Sequence, residues 1–345
     1  NLQVIENSAF RSSMLTELDF SKTPKLTSIG SSAFEKSPIR SLNFSNNLEL
    51  MFLSEKVFYN AQITNLDLSR APNLTHLGAE VFYNAPLRSL TLPADIRGIR
   101  PKAFYNHQLT HLDLSNATSL MYIGAEAFYG GPSFESINIG NNCAITYINK
   151  AAFGGARFSS LDLSSCKSLN YIGESAFENS PLQILQLDNP ALTTIDSFAF
   201  SNGSVDNFDM TKVPNLGCIG DSGLKAVSDN SLDFSQNTAL QYIGKQAFYN
   251  APLFTLDLTN NPNIKYLGSE AFKASSVDEV WISPVANFTV PRSNETTRST
   301  ELYTGLYNGD TAIFRTPSGE STMPSDPNGD LIKSGNVRCP VSGNF

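Results

Sequence analysis

The residues of this chain with the chemistry to bind something recur at regular intervals. Asp209, Asp233 and Asp257 are spaced 24 residues apart, and the single tryptophan, Trp281, stands another 24 further on. Carboxylates at one position of consecutive stacked repeats would lie about 4.8 Å apart on one face. At that spacing they repel by roughly 0.9 kcal/mol per pair even in water, so hydrogen bonds, cations or a ligand must offset them. One reading is a solvated column that accepts hydrogen bonds from Thr, Ser and Asn neighbours. The other is a site for a cation or basic ligand, although calcium needs about six to eight oxygens and three Asp do not guarantee them. Trp281 serves either as an anchor for a partner or as part of a C-terminal cap.

Ten of the 12 tyrosines fall in two further columns. Tyr59, Tyr83, Tyr105, Tyr129 and Tyr249 each follow a phenylalanine; Tyr122, Tyr147, Tyr171, Tyr242 and Tyr266 each precede an Ile or Leu. Neither column is at an inward position. Both could stack to stiffen the array, or present a contact surface, since tyrosine is enriched where binding energy concentrates. Tyr122, Tyr147 and Tyr171, on three consecutive repeats, are the candidate contact residues, together with Asp209, Asp233, Asp257 and Trp281.

No constellation for catalysis is legible. Of the three histidines, His76, His107 and His111, the last two form H-x-x-x-H across a turn, a weak metal signal with no acidic or Cys companion, and all three are expected as solvated surface residues. No nucleophile elbow, P-loop or dinucleotide fingerprint occurs, and a flat column of Asp offers no enclosed cleft to a glycosidase mechanism. No cofactor is expected. The four cysteines, Cys143, Cys166, Cys218 and Cys339, show no CxxC pair. Cys143 and Cys166 occupy near-equivalent positions of adjacent repeats, and the expectation is small, partly buried hydrophobes rather than a disulfide. The formal charge of −8 argues against nucleic acid and anionic membranes. No segment reaches the length of apolar chain that spans a bilayer.

The elements that must position these columns follow from a phenylalanine that returns about every 24 residues, at Phe10, Phe34, Phe58, Phe82, Phe104, Phe128, Phe153, Phe177, Phe200, Phe248 and Phe272, with Leu224 in its place once. A fixed period of that size marks a stacked-repeat solenoid in which each unit touches only its neighbours. The consensus L-x-x-I-G-x-x-A-F-x-x-x-P-L-x-x-L-D-L-S predicts a strand over L-x-x-L-x-L. In that strand Leu112 and Leu114 point inward and Asp113 outward, giving a parallel sheet of about twelve rungs. The outward column reads Asp and Asn, Thr or Gln in alternation over eight rungs before Asp becomes continuous. The opposite side runs as L-x-x-I-G, where glycine suggests a backbone conformation closed to other residues. The Ala-Phe pair is expected on a short helical turn ended by Pro38, Pro86, Pro132, Pro181 or Pro252. Around 221–234 the unit is irregular, and Val227 is expected to fill the core beside Leu224. Residues 1–285 form the repeat domain. Residues 286–345, rich in Ser, Thr, Gly, Asn and Pro, read as a cap and tail or the start of a small separate domain, with Ile313 and Phe314 among the residues covering the open end.

The segments IGSSAF (29–34), IGAEAF (123–128), IGESAF (172–177), IGKQAF (243–248) and LGSEAF (267–272), each followed by an L-x-x-L-x-L strand, resemble the BspA-like leucine-rich repeat family, the Treponema pallidum type. The resemblance covers about residues 1–285. The family commonly has Pro after the strand; here only Pro93 does, and Ser or Thr stands at Ser21, Ser45, Ser69, Ser115, Ser164, Thr211, Ser235, Thr259 and Ser283. The resemblance implies a non-enzymatic binding module, secreted or at the cell surface. It would adhere to host, matrix or neighbouring-cell proteins, with a self-associating scaffold or a glycan-binding accessory protein as alternatives.

Overall fold

A computed structural model describes residues 2–131, 134–206, 208–225, 227–228, 232–253, 255–268, 270–272, 279–282, 313–315 and 339. The chain folds as a parallel-strand β-solenoid with almost no helix. It divides into two compact units, residues 1–169 with 176–180, and residues 170–175 with 181–345.

In each unit the long ladder is built from the two residues before the Gly position, not from the Asp-bearing strands. In the first unit Val4–Ile5, Ser28–Ile29, Phe52–Leu53, His76–Leu77, Gly98–Ile99, Tyr122–Ile123 and Tyr147–Ile148 pair in parallel in that order. In the second, Tyr171–Ile172, Thr194–Ile195, Cys218–Ile219, Tyr242–Ile243 and Tyr266–Leu267 do the same. The Asp-bearing strands are shorter in their pairing than the expected twelve-rung sheet. Glu17–Asp19 pairs with Ser41–Asn43, Asn65–Asp67 with Ser89–Thr91, and His111–Asp113 with Ser136–Asn138. After Asp19, Asp67 and Asp113 the strand ends in a turn, where the carboxylate accepts the N–H two residues on.

Phenylalanines fill the space between the two sides. From Phe10 to Phe177 in the first unit successive rings stack with centroids 5.1–5.6 Å apart. Phe34 through Phe177 are buried, whereas Phe10, on the first rung, is 45% exposed. In the second unit Phe248 stacks on Phe272 at 5.4 Å. Leu224 and Val227 are both fully buried, so the irregular unit keeps its core with aliphatic side chains.

Two expectations for this stretch are corrected. The Ala-Phe segment is not helical. Ser32 and Lys36 have φ of 56° and 60°, and the pattern repeats as Lys56/Asn60, Glu80/Asn84 and Lys102/Asn106. These left-handed residues turn alternate N–H groups toward the next rung: Ser32, Phe34 and Lys36 donate to the carbonyls of Glu55, Val57 and Tyr59 at 2.8–3.0 Å. The Ile-Gly glycines, in turn, have no positive φ. A Cβ on Gly124 would lie 2.6 Å from the Pro101 nitrogen, and one on Gly244 2.5 Å from the Asp221 nitrogen, so glycine is required by close approach of the preceding rung.

The cysteines are also corrected. Cys143 and Cys166 form a disulfide with Cα atoms 4.7 Å apart, because their separation of 23 residues places them side by side on adjacent rungs. Cys218 is bonded to Cys339, 121 residues away. No free cysteine is present among the described residues. Beyond 282, the strand Ile313–Arg315 pairs in parallel with Glu279–Ile282, extending the Thr255–Leu258 sheet by two strands. The expected domain boundary near 285 and Pro132 lie outside the described residues.

Candidate binding surface

The Asp column is made of turns. Asp209 Oδ1 accepts the Thr211 N–H at 3.0 Å and its hydroxyl at 2.5 Å. Asp233 accepts the Ser235 N–H at 2.8 Å; Asp257 accepts the Thr259 N–H at 2.9 Å and its hydroxyl at 2.7 Å. The Ser or Thr that follows the strand is therefore the donor that closes it. Where Asn alternates with Asp, its amide links the rungs: Asn43 Nδ2 donates to Asp19 Oδ1 at 2.9 Å, and Asn138 Nδ2 to Asp113 Oδ1 at 3.1 Å. These hydrogen bonds, those from Ser21 and Ser115 foremost, hold both carboxyls below the usual carboxylate range. Asp209, Asp233 and Asp257 are exposed on the second unit. Among the described residues no group of three or more His, Cys, Asp or Glu side chains is placed to hold a metal ion. Trp281 stands opposite Asp257 in the adjoining strand.

Tyr122 and Tyr171 have different surroundings. Tyr122 and Tyr147 are register partners in the first unit. The Tyr122 ring lies across Gly98, where any Cβ would collide with its Cε1, Cζ and hydroxyl, and its centroid is 6.1 Å from that of His76. Tyr171, in the second unit, is half-buried and donates its hydroxyl to Asp196 Oδ2 at 2.8 Å. Burial first, then the Asp196 charge, pushes that phenol far above its ordinary range.

Four tyrosines of the other column form a continuous stack. Tyr59, Tyr83 and Tyr105 lie 4.7 Å apart with planes 3° from parallel, and Tyr129 continues the stack at 5.2 Å. An amide ladder runs beside them: Asn84 Nδ2 donates to Asn60 Oδ1 at 2.9 Å and Asn106 Nδ2 to Asn84 Oδ1 at 2.8 Å. On the other flank Lys56 faces Glu80 at 3.8 Å and Lys102 faces Glu126 at 3.7 Å. Burial within the stack, then the neighbouring phenols, raises Tyr83 and Tyr105. The Asn ladder was missed in the sequence, where its signal was the recurrent F-Y-N at 58–60, 82–84 and 104–106. Each Asn there takes the left-handed conformation that asparagine tolerates.

His107 is not a surface residue. It is buried, its Nδ1 accepts the Leu109 N–H at 3.0 Å, and its Nε2 donates to the Phe128 carbonyl at 3.1 Å. Its ring meets Phe134 edge-on at 4.9 Å. It fills the space that Gly131 vacates on the next rung, where a Cβ would strike the imidazole. Burial pushes its pKa down to about 4.

The pattern described as "BspA type Leucine rich repeat region (6 copies)" matches residues 1–111, 51–181, 121–223 and 193–290. The chain belongs to the BspA-type leucine-rich repeat family. None of the curated proteins matches this BspA-type chain. Among solved structures it is similar to the functional domain of InlJ from Listeria monocytogenes, described as including a cysteine ladder, at 19% identity and a TM-score of 0.42, covering 85% of this chain and 60% of that one. A leucine-rich repeat protein from Bacteroides ovatus is 15% identical with a TM-score of 0.41, covering 92% and 88%. The pneumococcal vaccine antigen PcpA is 14% identical with a TM-score of 0.40, covering 85% and 72%. The chain thus spans 60% of the length of the InlJ domain. No helix among the described residues is long and apolar enough to cross a membrane.

Proposed function

We propose that this BspA-type chain is a non-enzymatic binding module, secreted or displayed at a cell surface, that recognises another protein. The observation that carries this reading is the stack of Tyr59, Tyr83, Tyr105 and Tyr129, four aromatic side chains kept out of the core and held by one another. Tyrosines already held in such a row lose little side-chain entropy when a partner meets them, and tyrosine combines apolar area with a hydroxyl at its tip. The disulfide pairing of the four cysteines supports an oxidising compartment, because such bonds persist outside the cytosol. On this reading the Tyr122, Tyr147 and Tyr171 column, Asp209, Asp233, Asp257 and Trp281 are further contact candidates, and residues 286–345 close the array.

The test is a pull-down from host-surface and matrix proteins. It compares the wild type, a variant with Tyr83 and Tyr105 changed to Ser, and one with Tyr122, Tyr147 and Tyr171 changed to Ala. A protein captured by the wild type and lost with either variant supports the module. Mass growth with concentration in small-angle scattering, without capture of any other protein, would favour a self-associating scaffold instead.

A further inference from the structure

On the long ladder of the first unit one stretch differs from the rest in chemistry. The outward position of successive rungs carries Phe52, His76, Gly98 and Tyr122, in direct register. Phe52 is 54% exposed, and the preceding residues Met51 and Met121 are 40% and 48% exposed. Gly98 lets the Tyr122 ring lie across its rung toward His76. Four rungs of this kind make an apolar and aromatic strip about 14 Å long, the reach of four or five extended residues.

Two arginines border the Gly98 rung. Arg97 is held between Thr75, whose carbonyl accepts its N–H at 2.7 Å, and Met121, which donates to the Arg97 carbonyl at 2.9 Å; Arg100 donates to Leu77 at 3.1 Å. Both arginines are exposed, and among the described residues neither is in an ion pair; Asp95, exposed on the same rung, is bonded to neither. Their charges reach the strip: after burial, Arg100 and then Arg97 hold the His76 imidazole below its ordinary range. A chain of net charge −8 therefore places two exposed arginines, in no ion pair among the described residues, beside this strip.

The geometry points to this strip as the docking site for an extended acidic peptide segment that carries apolar side chains, with Arg97 and Arg100 pairing its carboxylates and Met51, Phe52, Met121 and Tyr122 taking its apolar groups. The inference rests on the binding-module reading and names its partner class. Charge alone would suit a sulfated glycan equally. The exposed Phe and Met side chains decide for a peptide, because a sulfated sugar has no apolar side chains to cover them and methionine adapts to varied apolar shapes. Carboxylates on arginine gain from paired N–H donors.

The experiment measures fluorescence anisotropy of the full chain with a labelled peptide of alternating Glu and Leu, a Lys/Leu peptide, a Glu/Ser peptide and heparin. We expect the Glu/Leu peptide to bind most tightly, and the double change Arg97→Gln and Arg100→Gln to weaken it at least tenfold. Phe52→Ser with Met121→Ser should weaken it similarly while leaving the melting temperature near wild type. Equal binding by the wild type and the arginine variant overturns the proposal, as does tighter binding of heparin or of the Glu/Ser peptide. No peptide binding by a protein that still captures a partner through the Tyr83 and Tyr105 row overturns this site alone. Failure of both capture and peptide binding overturns the module reading with it.

Discussion

Asn138 donates its amide to the Oδ1 of Asp113 at 3.1 Å, one rung back, on the same oxygen that accepts the Ser115 N–H at 2.9 Å. At Asp19/Asn43 and Asp113/Asn138 the alternation of Asp and Asn along the outward column thus makes a hydrogen bond between rungs. A carboxylate closes the turn, and an amide on the next rung supplies the donor that a second carboxylate would lack.

Asn138→Asp should therefore destabilise the first unit by up to about 1 kcal/mol at low salt, because a bond is replaced by like charge at a solvated site. Urea unfolding at low and high NaCl checks this. The deficit should shrink as salt screens the pair, and a deficit independent of salt would mean that packing, not charge, was lost.

His107 predicts a pH dependence with a definite sign. Its pKa is lowered from 6.5 to about 4 in the folded chain, so the unfolded state binds the proton more readily. This contribution is fully present above pH 6.5 and is lost as pH falls toward 4, by up to roughly 3 kcal/mol. His107→Ala, which copies Ala61 and Ala85 at the same position, should be less stable at pH 7.5 and should lack that part of the acid loss. Unfolding at pH 7.5 and pH 5 reads both effects.

Reduction should lower the melting temperature, and the two disulfides should contribute unequally. Loop entropy assigns about 3 kcal/mol to closing the 23-residue separation of Cys143 and Cys166, and about 5 kcal/mol to the 121-residue separation of Cys218 and Cys339. Paired Cys→Ser variants measured by calorimetry would separate them. The Cys218/Cys339 pair should cost more.

Phe128 stacks between Phe104 at 5.1 Å and Phe153 at 5.5 Å and is fully buried. Phe128→Ala should cost about 3–5 kcal/mol and broaden or split the melting transition, since a gap in a stack of nearest-neighbour interfaces weakens the coupling across it. Tyr105→Ala, in the half-exposed stack one position further along the chain, should cost less. An unchanged curve for Phe128→Ala would sink the core assignment.

The period of Phe and Leu was enough to assign the solenoid, the inward residues and the grouping of surface residues into columns, because each rung repeats the same inside-outside pattern. It also brought out both tyrosine columns and the Asp column. Which tyrosines touch was not legible. Tyr59, Tyr83, Tyr105 and Tyr129 stack because left-handed residues on either side of the phenylalanine set their rungs at one spacing. Tyr122 lies down instead because Gly98 leaves it room, a relation between neighbouring rungs that no single repeat displays. That the Asp column would accept hydrogen bonds from Ser, Thr and Asn neighbours was legible as one of its readings; that the Ser or Thr two residues on, seen only as a departure from the family pattern, closes the turn was not.

From the sequence alone, then, came the repeat, its core phenylalanines, the family and the surface columns, since these depend on residue type and spacing within a rung. The tertiary structure decided what depends on contact between rungs. It placed the long ladder on the Ile-Gly side, buried His107 against Phe134, joined Cys143 to Cys166 and brought Cys339 to Cys218. The last pairing shows the physical limit most plainly: periodicity predicts contacts one repeat apart, and a bond spanning 121 residues to a position outside the repeat has no register to announce it.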